Sequence, residues 1–166
     1  MLGSLFRRLT AEPPRGSPLF DAVTRIAREP HWYVEGQVPD TLDGRFAVLS
    51  SVVAIVLVRL ESDGPAGDAA SVALTERFIA VMESEHRELG LGDPTLGKTV
   101  RKLVGMLARK TELWRSTEDR TAATRESLYK EEVAPDALRH SSEVLERLVV
   151  KLGETSLTDI EQGRIA

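Results

Sequence analysis

The chain has 166 residues, a formal net charge of -4 and no cysteine, which excludes a disulfide framework, a cysteine zinc site and wholesale binding to a polyanion such as DNA. Hydrophobic residues at 42% and charged residues at 29% are the balance of one soluble globular domain. An aromatic share of 5% leaves few stacking platforms for single-stranded nucleic acid.

Residues 1–16 form a basic amphipathic segment and linker. Leu2, Leu5, Phe6 and Leu9 fall at helical spacing beside Arg7 and Arg8, a pattern suited to an anionic membrane surface. No apolar run follows these arginines, so a secretory leader is not expected. Ser17 and Pro18 then start a helix that runs to about Arg28, with Leu19, Phe20, Val23, Ile26 and Ala27 on one face. Pro30 stops it, and residues 29–38 form a loop holding His31, Trp32 and Tyr33. These aromatics either form a recognition surface or plug the end of a bundle, and burial is the commoner fate.

Asp40 is the expected cap of a second helix over about 41–61, with Asp43 favouring its positive end. Phe46 to Leu60 is too short for a membrane span and too long for a strand, so it reads as a buried helix. Residues 62–67 read as a loop, and a third helix opens at Asp68 or Ser71 and carries Phe78, Ile79 and Met82 inward. Gly90 and Gly92 end it. Asp93 and Pro94 start a fourth helix with Leu96, Val100, Leu103, Val104, Leu107 and Trp114 on one face. A fifth helix is expected over about 120–132, and a sixth from Pro135 to just before Gly153, followed by a tail over 154–166. The expected fold is an all-α single-domain bundle of about six helices, with residues 17–153 as the helical domain.

Three motifs point to chemistry. Gly92 to Thr99 fits G-x-x-x-x-G-K-[ST], yet a phosphate loop needs a strand before it and a helix starting near the lysine, and the sequence offers neither. Glu83 and His86 have the spacing of half a di-iron site, but there is one copy, and His31 and His140 show no matching partner. No metal, cofactor or catalytic group is therefore expected. The third motif is the fourth helix itself. Residues 97–115 carry six basic side chains, Lys98, Arg101, Lys102, Arg109, Lys110 and Arg115, against the single Glu112. Lys98, Lys102 and Arg109 fall within about 40° of one another, with Arg101 beside them. Such a stripe suits RNA phosphates, lipid headgroups or an acidic partner.

Ala27-Arg28-x-Pro30-x-x-Tyr33, then Val38-Pro39-Asp40-Thr41-x-Asp43-Gly44-Arg45-Phe46, then Arg87-Glu88-Leu89-Gly90-x-Gly92-Asp93 with Gly97-Lys98, resemble the ubiquinol–cytochrome c chaperone family, the assembly factors of the cytochrome bc1 complex. The similarity covers about 17–120. Two steps depart from the usual pattern, Glu85-His86 before the Arg-Glu pair and Leu107-Ala108-Arg109-Lys110 in the next helix. The resemblance implies a non-enzymatic chaperone that binds newly made cytochrome b near the ribosome with a small co-chaperone. It implies a cytoplasmic bacterial location, peripheral at the inner membrane. Partner contact is then assigned to Lys98, Arg101, Lys102, Arg109, Arg87 and Glu88. Pro39, Asp40, Asp43, Gly44, Arg45, Gly92 and Asp93 are assigned to shaping helix corners by caps and ion pairs. The alternative is a small-ligand- or metal-binding bundle using Glu83, His86 and Glu88.

Overall fold

The computed structural model describes residues 17–88, 90 and 92–165; the basic N-terminal segment and its linker lie outside the described residues. Among the described residues there are six helices of nine residues or more: α1 (Ser17–Ala27), α2 (Leu42–Leu60), α3 (Gly64–Glu88), α4 (Asp93–Ser116), α5 (Arg120–Leu128) and α6 (Pro135–Glu154). A short α7 (Leu157–Glu161) follows. There is no strand among the described residues, so the fold is the expected all-α bundle.

The apolar run from Phe46 to Leu60 is the axis of the bundle. Val48, Val52, Val53, Ala54, Val56 and Leu60 are fully buried, and α2 is packed by α1, α3, α4, α5 and α6. A helix enclosed on every side needs no polar face, which is why its sequence is apolar all round. No helix among the described residues is long and apolar enough to cross a membrane. Arg59, the one charge in the run, faces the bundle's end: its Nε donates to Leu152 O at 2.8 Å and a terminal nitrogen to Thr155 O at 2.9 Å. These are carbonyls at the C-terminus of α6, whose orphan acceptors and negative dipole suit a cation.

Several boundaries differ from those expected. The loop over 62–67 is instead a 3-10 turn, Glu61–Asp63, running straight into α3 at Gly64. Gly64 takes φ 60°, which lets the chain turn there, and Pro65 follows in the first helical turn. α5 ends at Leu128 rather than near 132, because Tyr129 takes an extended backbone and its hydroxyl donates to Gly36 O at 2.6 Å. α6 continues through Gly153 to Glu154, since that glycine keeps helical geometry and ends nothing. Val104, placed inward by periodicity, is 37% exposed. Residues beyond 154, expected to form a tail, instead pack: Ile160 and Ile165 are fully buried, and the turn at Gly163 approaches Pro18 at the start of α1.

Trp32 settles the aromatic loop. It is fully buried, with its indole N–H donating to Ile26 O at 2.8 Å. Tyr33 is half-buried and donates to Ala27 O at 3.0 Å. Both bonds satisfy carbonyls at the C-terminal end of α1, so the loop closes that helix.

Candidate functional site

The loop before α2 packs tightly on the helix because residue 44 is a glycine. A Cβ at Gly44 would lie 1.8 Å from Pro39 O, so the chain over Pro39 passes directly against the first turn of the helix. Thr41, not Asp40, is the cap: its Oγ1 accepts from Gly44 N at 3.2 Å. Asp40 is instead bound by Arg45, Nε to Oδ1 at 2.7 Å, and this hydrogen bond holds its carboxyl below the usual carboxylate range. Asp43 reaches Lys130 at 2.7 Å and is lowered in the same way. The second pair ties the corner to the extended segment after α5, whose Tyr129 shares a hydrogen bond of 2.7 Å with Ser141 of α6.

This corner forms one side of an open groove of about 2020 Å³. The C-terminal half of α3 and the face of α4 toward α2 form its other side, and residues 126–134 close one end. Its lining combines apolar groups, Phe46, Leu49, Val81, Met106 and Leu113, with a charged margin. Two of its apolar residues stand well into solvent, Val34 at 68% and Leu42 at 58% exposure. On the wall, Thr24 Oγ1 and Arg77 Nε are buried without a hydrogen-bond partner among the described residues. Such groups cost free energy until something supplies an acceptor or donor.

Of the corner residues named from sequence, Pro39, Asp40, Asp43, Gly44 and Arg45 all line the groove. Glu88 does too, on the end of α3, while Arg87 is exposed beside it and outside the lining. Gly92 is the N-cap of α4 and Asp93 its first residue.

The basic helix divides into three parts. Lys98, Arg101, Lys102 and Arg109 are exposed and make no ion pair among the described residues. Lys102 and Arg109 sit on the groove, and Lys98 and Arg101 lie off it. Arg115 is engaged with Glu61 and Glu112, its guanidinium held charged by those carboxylates. Lys110 does not belong to the solvated stripe at all. It is 9% exposed, and its Nζ donates to Ala47 O at 2.9 Å, Ser50 Oγ at 2.7 Å and Ser51 Oγ at 3.2 Å. Burial pushes this amine down to about 7, because no carboxylate compensates the lost hydration. Periodicity on α4 alone missed it: the partner serines lie on α2, about sixty positions earlier. The signal available in sequence was the Ser50-Ser51 pair, the only polar break in the middle of the apolar run.

The motifs of other chemistries dissolve into helix. Gly97, Lys98 and Thr99 lie inside α4, with Leu96 N already bonded to Gly92 O at 2.8 Å, so their backbone N–H groups are not arranged around a phosphate. His86 Nδ1 lies 2.7 Å from Met82 O, one turn back in its own helix. No group of three or more His, Asp or Glu side chains fit to hold a metal occurs among the described residues. His31 and His140, which show no partner in sequence, meet each other, Nδ1 to Nε2 at 3.1 Å.

Comparison with known proteins adds to this geometry. A family model described as ubiquinol-cytochrome C chaperone matches residues 34–165. That range starts after the Ala27–Tyr33 motif and reaches well past residue 120, where the resemblance seen in sequence stops. A solved structure, the crystal structure of the Cbp3 homolog from Brucella abortus, is similar over 100% of this chain and 96% of its own, with 27% identity and a TM-score of 0.78. No curated protein matches. With the all-helical fold, the corner motif and the matched span in agreement, the chain belongs to the ubiquinol-cytochrome C chaperone family.

Proposed function

We propose that the protein is a non-enzymatic assembly factor of the cytochrome bc1 complex that holds newly made cytochrome b in the groove, close to the ribosome or the membrane surface. Family membership supports the class of function, and one observation carries the site: an open groove whose apolar lining includes the exposed Val34 and Leu42 and whose wall holds Thr24 Oγ1 and Arg77 Nε, unpartnered among the described residues. A membrane subunit before insertion exposes apolar segments with polar margins, and a groove of mixed character receives such a segment better than a uniformly greasy one. The cations Lys98, Arg101, Lys102 and Arg109, unpaired among the described residues, then face the ribosome or anionic lipid, with Arg87 and Glu88 at the neighbouring corner. A small co-chaperone would be recovered with the same complex.

The test is affinity capture from host membranes followed by mass spectrometry. Cytochrome b is expected with the unmodified protein and lost with V34D/L42D, two exposed positions whose replacement leaves the core untouched. K98E/K102E/R109E is expected to keep the client and lose co-sedimentation with ribosomes and anionic vesicles. Recovery of cytochrome b with V34D/L42D at the wild-type level removes the groove from the reading. Unchanged co-sedimentation of the charge-reversed variant removes the basic helix.

A further inference from the structure

Outside the lining of the groove, the structure brings together two of the three histidines of the chain. His31 lies in the 3-10 turn Pro30–Trp32, and His140 in the second turn of α6. The turn is rigidly placed: Trp32 is fully buried with its indole bonded to Ile26 O, and Gly36 N donates to His31 O at 2.8 Å. Glu29 Oε2 lies 2.9 Å from His31 Nε2. A carboxylate only accepts, so Nε2 carries the proton, and Nδ1 of His31 presents its lone pair. That lone pair points at His140 Nε2, 3.1 Å away. A cavity of about 740 Å³ opens beside both rings, with Glu29, Arg147, Lys151 and Glu154 among its lining.

We propose that His31 Nδ1 and His140 Nε2 form a two-histidine site for a divalent transition metal of the nickel or copper type. Two imidazole nitrogens 3.1 Å apart, each bonded to one ion at about 2.1 Å, subtend an angle of about 95° with the ion about 40° off the N···N line, so the rings turn from their hydrogen-bonded orientation to receive it. That is a cis pair of a square or octahedral centre, which Ni²⁺ and Cu²⁺ favour, and it is narrower than a tetrahedral zinc centre requires. In the metal-free form His140 donates Nε2–H to His31. Binding moves that proton to His140 Nδ1 or to solvent and replaces the hydrogen bond with two metal–nitrogen bonds. Glu29 fixes the tautomer from the far side of the His31 ring, the carboxylate–histidine–metal arrangement that raises ligand basicity. The protein supplies two ligands, and water or a partner's donor completes the coordination through the open cavity.

The test is calorimetric titration of untagged protein with Ni²⁺. One equivalent is expected to bind to the unmodified protein and to His86→Gln, whose imidazole lies elsewhere. His31→Gln and His140→Gln are each expected to abolish binding while keeping the helical circular dichroism, and Glu29→Gln to weaken it by about tenfold. No binding by the unmodified protein, or stoichiometric binding that survives His31→Gln or His140→Gln, overturns the assignment. Glu29, His31 and His140 do not line the groove, so the outcome stands apart from the chaperone reading.

Discussion

Lys110→Met tests the energetics of the bundle axis directly. The amine is buried among three oxygen acceptors from α2, with no counter-ion, and its pKa stands at about 7 against 10.5 for a free lysine side chain. Between those values the unfolded chain binds more protons than the native one, so stability rises with pH across the window from about 7 to 10.5 and is flat below it. At about 1.4 kcal/mol per pH unit, a depression from 10.5 to about 7 corresponds to a penalty on the order of 5 kcal/mol at low pH. Integrating the linkage, the wild type gains on the order of 2.5 kcal/mol from Lys110 between about pH 6 and about pH 9. Methionine keeps the volume and removes the charge. Ser50 and Ser51 still donate to Phe46 O and Ala47 O, each at 2.7 Å, so neither hydroxyl proton is orphaned. The variant is therefore more stable than wild type near pH 6, with the advantage shrinking toward pH 9. Thermal denaturation by circular dichroism across this range reads the effect, at about 2–4 °C per kcal/mol for a chain of this size. Parallel curves for the two proteins from pH 6 to 9 would refute the reasoning, since they would mean that Lys110 carries its charge in the native state at no cost.

Three further substitutions test the corner and the ends of the bundle. Gly44→Ala drives a Cβ into the Pro39 carbonyl, and because backbone has to move, a loss of about 2 kcal/mol or more is expected in urea denaturation; an unchanged midpoint is the contrary result. Tyr129→Phe removes the hydroxyl that bonds Gly36 O and Ser141 Oγ, at a cost of about 1–2 kcal/mol, with faster amide exchange over 129–134 as its local signature. Ile160→Ala empties a fully buried position and is expected to cost about 2–4 kcal/mol. A near-neutral result there would mean that the residues after α6 are dispensable to the core.

What could be read in the residues was whatever depends on neighbours in sequence. Apolar spacing of three and four places Leu19, Phe20, Val23 and Ile26 on the buried face of α1, and the structure buries all four. Pro at the first turn marks the starts of α4 and α6. The family motif at Pro39–Phe46 was legible for the same reason, since its residues meet within one corner. Periodicity was silent wherever geometry competes locally: Thr41 took the cap because Arg45 claims Asp40, and Gly64 with Pro65 turned an expected loop into a helix start.

The remaining features exist only across distance. Nothing on α4 separates Lys110 from Arg109 beside it, yet packing against Ser50 and Ser51 turns one cation into a buried, deprotonatable amine and leaves the other exposed to solvent. Nothing near His31 announces His140, more than a hundred residues on. The groove likewise arises from how α1, α2, α3, α4 and the segment after α5 are set against one another. Sequence determined the helices, their inner faces and the family, because hydrophobic period and capping act over a few residues. The tertiary structure decided which charges are solvated, which side chains meet and where the cleft opens, because desolvation and contact depend on what another helix brings to the same point in space.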